Sequence, residues 1–179
     1  MVRFDKPCVS VTHALNYFKM HMAGDDYLTE YGQAEMVWCG RDAERLGLHG
    51  TVQKDDFRKL CEGKHPVTNG KLSVREKGSV KRVCYFGQIS PPKDVSIAYL
   101  VGGDERIAAW WKEAVNDTIK EIEAITATRV RKGGIDDQDR NTGGMVAAVV
   151  THEASRALDP QLHTHVCVMN TTYDDQGTA

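Results

Sequence analysis

Three histidines late in the chain are the residues best suited by type and spacing to do chemistry. His163 and His165 stand two apart in the run from Leu162 to Val168, LHTHVCV, and residues two apart on a strand share a face. His152 closes the preceding apolar segment, MVAAVVTH from Met145. If the two segments pair as antiparallel neighbours, three imidazoles meet on one patch, each able to give a nitrogen at about 2.0–2.2 Å to a divalent cation. Three nitrogens leave positions open for water or a phosphate oxygen, which suits a catalytic metal. An H-x-H pair by itself is as readily a chance feature of a surface strand in a chain with 7 histidines; the third histidine tips the balance towards a site. Cys167 lies further along the same face, either as a thiolate ligand or, more simply, as a small buried apolar side chain.

The elements that would hold these residues follow from the pattern. Residues 2–12 suggest a short strand, and 12–22 a helix capped by Thr12. The run RDAERLGLHG predicts a short helix stopped by Gly47 and Gly50, and a second short helix is expected at 53–62 on Phe57 and Leu60. Residues 83–89 favour a strand, and Pro91-Pro92 interrupts it because neither proline has an amide donor. The strongest helix signal covers 105–127, where Ile107, Trp111, Val115, Ile119 and Ile122 recur at helical spacing behind Asp104 as cap. Its apolar stripe requires a sheet to pack on. A Gly- and Asp-rich loop is expected at 133–144, then strands at 145–152 and 162–170 joined by a nine-residue connection, 153–161. The chain closes on Asp174-Asp175-Gln176-Gly177, a hairpin turn whose return strand is missing, so residues 1–179 are expected to be one domain cut short on its C-terminal side.

Composition narrows the partners. A chain of 179 residues with 41% hydrophobic residues is long enough to bury a core, and 23 basic against 25 acidic side chains leave a net charge of −2. A uniformly basic DNA-coating protein is excluded, so a polyanion must bind a local patch. No stretch approaches the roughly 18 apolar residues that would cross a bilayer, which points to a cytosolic protein. Five cysteines without a CxxC pair fit reduced thiols. The one basic stretch is 71–82, and Arg129, Arg131 and Lys132 follow later.

The segment from His152 to His165, HEASRALDPQLHTH, resembles the histidine-triad motif of MobF-type conjugative relaxases, the nicking domains of relaxase-helicases among the HUH endonucleases. Three other stretches agree in order: Trp38-x-Gly40 with the run from Ala43 to Gly50, Ser90-x-Pro92-Lys93-x-Val95-Ser96, and Gly102-Gly103-Asp104-x-Arg106. The resemblance spans roughly residues 9–172. It implies a relaxase domain with an α/β (α+β) fold, a central antiparallel sheet with helices mainly on one face. It also implies nicking of one DNA strand at an origin of transfer through a 5′-phosphotyrosine. Of the family's two tyrosine pairs one member each survives, in Asn16-Tyr17-Phe18 and Asp26-Tyr27-Leu28. Tyr17 matches the first nucleophile and Tyr27 the second, which ends a round of transfer. His152, His163 and His165 match the ligands of a divalent metal, Mg²⁺ or Mn²⁺, with Zn²⁺ or Ni²⁺ able to substitute in vitro. A phenol with a pKa of about 10 needs such a cation to withdraw charge from the phosphate.

The resemblance further implies single-stranded or hairpin DNA at an origin of transfer as partner, with Lys93 and Arg156 as DNA contacts. A C-terminal helicase region, other relaxosome proteins and the bacterial cytoplasm belong to the same picture. One departure stands out. Relaxases of this type carry an aspartate four residues before the Ser of S-x-P-K, to orient a histidine or accept the tyrosine proton, and here that position is Phe86. Asp94, Asp25 and Asp26 are the candidate carboxylates to substitute, Asp94 reading more simply as a solvated helix-start residue. Weaker activity or a rearranged partner is expected. The competing readings are a non-catalytic DNA-binding relaxase fragment and a replication-initiator or transposase-type HUH nuclease; the sequence between the histidines argues against the latter.

Overall fold

The computed structural model describes residues 1–22, 35–72, 82–132, 135–155 and 157–173. Along the chain run β1 (Val2–Phe4), α1 (Val11–Met22), β2 (Val37–Cys39), α2 (Arg41–Arg45), α3 (Lys54–Cys61) and β3 (Cys84–Ile89). Then come α4 (Lys93–Leu100), α5 (Arg106–Ala124), β4 (Ala127–Lys132), β5 (Ile135–Asn141), β6 (Ala147–Ala154) and β7 (Pro160–Met169). Five strands form one antiparallel sheet in the order β1-β3-β7-β6-β2, and β4 and β5 form a separate two-stranded ribbon. The antiparallel sheet expected from the sequence is therefore present. The two histidine strands lie next to each other inside it, where each has neighbours on both sides.

Alternation along β6 and β7 sorts their side chains onto two apolar layers. On one face Val150, Ala148, Cys167 and Met169 pack with Phe86, with Ala14 and Phe18 of α1, and with Phe57 and Leu60 of α3. On the other, Ala147 and Val166 meet Val115 and Ile119 of α5, with Trp111 and Ile122 at the margin. Each of these α5 side chains contributes about 1.5–3 kcal/mol on burial. The stripe on α5 packs on a sheet as its spacing requires. The expectation of helices mainly on one face gives way, however, because α1 and α3 are themselves amphipathic and enclose the opposite face.

Boundaries differ where local chemistry competes. The first strand is Val2–Phe4, not 2–12, and resumes only as a bridge from Cys8 to Cys84 after donorless Pro7. The cap of α1 is Ser10, whose Oγ accepts the His13 amide at 3.2 Å, while Thr12 already lies within the helix. Asp104 Oδ1 accepts the Arg106 amide at 3.3 Å at the start of α5. That helix ends at Ala124, three residues early, where the chain enters β4. The loop expected at 133–144 contains β5, whose sequence IDDQDRN lacks the apolar alternation that marks a strand. Its register sets Asp139 opposite Arg129 and Asp136 opposite Arg131.

One buried polar joint ties the ends of the sheet together. Asp42 is fully buried and accepts from Thr172 Oγ1 at 3.1 Å and the Tyr173 amide at 3.0 Å. Gly144 lies so close that a Cβ there would stand 2.4 Å from Asp42 Oδ2. Gly144→Ala should therefore lower the unfolding free energy by about 1–3 kcal/mol in a denaturant titration; an unchanged midpoint would show that the carboxylate has room to shift.

Candidate active site

The β6–β7 hairpin places the histidines. Its register sets His152 directly opposite His163, and His165 follows on the same face. Ring centres are 5.5 Å apart for His152 and His163, 5.4 Å for His152 and His165, and 4.9 Å for His163 and His165. The strands run on to Ala154 and from Pro160, so the expected nine-residue connection is shorter, lying between those two residues. Ser155 builds it: its Oγ accepts the amides of Ala157 and Asp159 at 3.1 and 3.2 Å, and its own amide donates to the Asp159 carbonyl at 2.9 Å. Leu158 takes the left-handed backbone conformation, φ 62°.

Other motif residues brace this hairpin from behind. Ser96 Oγ in α4 accepts the Leu162 amide at 3.1 Å, and Lys93 Nζ donates to the Pro160 carbonyl at 2.7 Å. Thr151 and Thr164 join hydroxyls at 2.8 Å across the strands, and the Trp111 indole donates to Thr164 Oγ1 at 3.2 Å. The shared spacing of these motifs thus has a mechanical meaning: they fix β7 against α4 and α5.

Proton positions follow from the partners. His163 Nδ1 lies 2.9 Å from the Gln161 carbonyl oxygen, which can only accept. Nδ1 therefore carries the proton, and Nε2 holds a lone pair. Burial, with His163 beside it, lowers the pKa of His152 to about 4. Burial also lowers that of His163, against the opposing pull of the Gln161 carbonyl. Both rings are thus neutral at physiological pH, the state a ligand needs.

The donor chemistry fits a divalent cation, and the spacing comes close: rings on one ion have centres roughly 4.6–5.3 Å apart when metal–nitrogen bonds are about 2.1 Å, a range that holds His163–His165 at 4.9 Å and that the two His152 separations, 5.5 and 5.4 Å, slightly exceed. The nitrogens themselves do not yet point to one place: among the described residues no group of three or more His, Cys, Asp or Glu is arranged to hold a metal ion. The three rings gather on one patch, as expected, without their nitrogens converging.

Tyr17 reaches this cluster from α1. Its hydroxyl lies 2.9 Å from His165 Nδ1, and its ring stacks on Phe86 with centres 3.8 Å apart and planes at 23°. Burial pushes the phenol pKa upward, as do Cys167 and Asp5. Phe86, at the position where a carboxylate was expected, thus forms the floor beneath Tyr17. Asp94 does not replace that carboxylate: it starts α4 and accepts the Val95 amide at 3.0 Å. Cys167 is buried in the core beside Cys84 and Phe86, as its apolar reading requires. Tyr27, Arg156, Asp25 and Asp26 lie outside the described residues, as does most of the basic stretch 71–82. The stacking role of Phe86 and the tautomer-setting Gln161 carbonyl were not expected from sequence; the only signal was the parity that aligns Phe86 with Cys167 and Gln88 with His165.

Comparison with known proteins agrees with this geometry. The sequence model of the TrwC relaxase family matches residues 11–179. The multifunctional conjugation protein TraI of Escherichia coli is 43% identical over 136 residues, 75% of this chain, and its counterpart in strain K12 is 41% identical over the same length. The chain spans only 8% of the length of these relatives. Among solved structures, metal-bound conjugative relaxase TrwC in complex with oriT DNA superposes with a TM-score of 0.79 at 30% identity, over 99% of this chain and 59% of that one. A copper-bound TrwC complex gives 0.79 at 32% identity, over 99% of this chain and 60% of that one. TrwC with a 27-mer DNA comprising the recognition hairpin and the cleavage site gives 0.76 at 29% identity, with 99% and 58% covered.

The low pKa of His152 carries a stability consequence. A histidine whose folded-state pKa lies below its ordinary value of about 6.5 binds fewer protons folded than unfolded, so acid favours unfolding. Its contribution is present above about pH 6.5 and is lost as the pH falls towards about 4. The metal-free protein should lose stability over that window, and His152→Gln should flatten the slope in denaturant titrations at stepped pH; equal slopes would show that His152 titrates normally.

Proposed function

Because the chain belongs to the TrwC relaxase family, we propose that it nicks and rejoins one strand of DNA at an origin of transfer, with Tyr17 as nucleophile. The observation that carries this reading is the Tyr17 hydroxyl held 2.9 Å from His165, inside a cluster of three imidazoles. In the forward step the Tyr17 oxygen loses its proton and bonds to phosphorus. The bond from phosphorus to the 3′ oxygen breaks, and that oxygen takes up a proton as the new 3′ hydroxyl. The 5′-phosphotyrosine conserves a phosphodiester, so reversal rejoins the strand without another energy source.

His152, His163 and His165 are the residues that would hold a divalent cation, with Mg²⁺ or Mn²⁺ the first choice and Zn²⁺ or Ni²⁺ possible substitutes in vitro. The chemistry it supplies is withdrawal of charge from the phosphate. His165 meanwhile governs the phenol. In the metal-free protein, with Nδ1 unprotonated, His165 accepts a hydrogen bond from the phenol; with Nε2 committed to a cation it would carry its proton on Nδ1 and donate to the phenolate, stabilising it while the phenol proton passes to solvent. The stack on Phe86 holds the ring in line while either arrangement is in place. A raised phenol pKa keeps Tyr17 protonated and unreactive away from substrate.

The remaining roles rest on the family match. Tyr27 serves the second transesterification, and Lys93 and Arg156 contact single-stranded or hairpin DNA. For Lys93 this means sharing its ammonium with the Pro160 carbonyl. Other relaxosome proteins and a following helicase region are the proposed partners, in the bacterial cytoplasm. Among the described residues no helix is long and apolar enough to cross a membrane.

A second reading, a DNA-binding module without catalysis, is favoured by one observation, the apolar ring of Phe86 where a carboxylate is expected. Incubation with a single-stranded oriT oligonucleotide and Mn²⁺ should give a covalent adduct on a denaturing gel, abolished in Tyr17→Phe and by a chelator. Salt-sensitive binding without adduct would establish the module instead. Phe86→Leu should slow adduct formation by up to about 10-fold, the value of an aromatic pair, while metal affinity stays unchanged. Phe86→Tyr should retain the wild-type rate; equal rates in all three proteins would show that the stack does not position the nucleophile.

A further inference from the structure

Beside Tyr17, a cleft of about 450 Å³ opens between α1 and the β1–β3 edge of the sheet. Its walls include the Tyr17 and Phe86 rings, and its polar lining includes Arg3 and Asp5 from the β1 edge, Asn16 from α1 and Gln88 from β3. Arg3 and Asp5 stand two residues apart, their charged groups 3.9 Å from each other, with side chains 77% and 66% exposed. Neither supports the core. The Asp5 backbone is anchored independently, its amide donating to the Phe86 carbonyl at 2.9 Å.

Tyr17 and His165, which also line the cleft, are the part that meets the phosphate; the Arg3–Asp5 side is wrong for a phosphate and right for a base. A carboxylate beside the guanidinium cancels the positive charge a phosphate needs, whereas a base edge carries donors and acceptors side by side. Phe86 is 6% exposed beneath the stacked Tyr17 ring, so the aromatic flank open to an unstacked base is the half-buried Tyr17 ring, and stacking on aromatic side chains is how single strands are held. Guanine fills the polar side most completely. Its O6 and N7 accept from the guanidinium fork, and its N1–H and N2–H₂ donate to both oxygens of a carboxylate.

We infer that this cleft is a nucleobase subsite next to the phosphate attacked by Tyr17, and that Arg3 and Asp5 make it select guanine. The inference rests on the nicking reading for the identity of the strand, while its chemistry concerns binding alone. Arg3 and Asp5 are specificity residues; neither touches the reacting atoms.

The test uses the whole chain and a library of single-stranded 12-mers of random sequence. One pool is selected for binding in the presence of a chelator, a second for covalent attachment in Mn²⁺, and both are sequenced. The expected result is a guanine enriched about 10-fold or more at one position in both pools, adjoining the broken bond in the second. Asp5→Asn and Arg3→Met should each erase that preference while overall binding and near-UV circular dichroism remain. Absence of a positional preference, or a preference unchanged in both variants, overturns the subsite. Guanine enrichment in the chelator pool with no covalent product in the other retains the subsite and overturns nicking.

Discussion

The pairing of β6 with β7 in one register is the constraint on which the rest of the site depends. His152 opposes His163 only in that register, and a slip of one residue on either strand would send its side chains to the α5 face. Several weak devices therefore act on the same pair. Ser155 closes the turn, the Thr151–Thr164 hydroxyl pair and Trp111 fix the back, and Ser96 and Lys93 hold the start of β7. Each is an ordinary hydrogen bond worth about a kcal/mol. Together they hold three imidazoles on one face of a hairpin that alternation alone would leave free to slide.

Much of this was legible in the residues because it is periodic. The two-residue spacing of His163 and His165 placed them on one face, and the stripe from Ile107 to Ile122 defined the longest helix. What was not legible depends on partners distant in sequence. The ribbon strand β5 is polar throughout and shows no alternation, so only pairing with β4 identifies it. Ser10 and Thr12 are equally good caps by type, and the position of the first turn decides between them. The helices over the histidine face were visible as helices, but nothing local says which side of a sheet an amphipathic helix covers. Asp42 would pass for a surface acid of a short helix; its burial is set by residues 130 and 131 positions away.

Phe86 shows how a site can change its means of support. A carboxylate under a tyrosine orients by charge and takes part in proton movement. A stacked ring orients by contact and leaves the hydrogen bond to the phenol oxygen to His165. On the proposed reading the exchange also removes a negative charge from the neighbourhood of the phosphate, which would favour approach of the strand. It leaves the edge strand, with Asp5 and Arg3, as the nearest described source of fixed charge on that side of Tyr17.

The Tyr17–His165 contact joins positions 148 residues apart in the chain, and this separation has a temporal meaning. During synthesis Tyr17 emerges first and His152, His163 and His165 only after most of the sheet and both covering layers have appeared. Contacts of such long range form late, after the loop-closure entropy of the intervening chain has been overcome. A nascent or partly folded chain therefore carries an exposed tyrosine with no cluster to act with it. On the proposed reading, strand cleavage would have to wait for the closing of the sheet, and unfinished molecules would be harmless to the DNA around them.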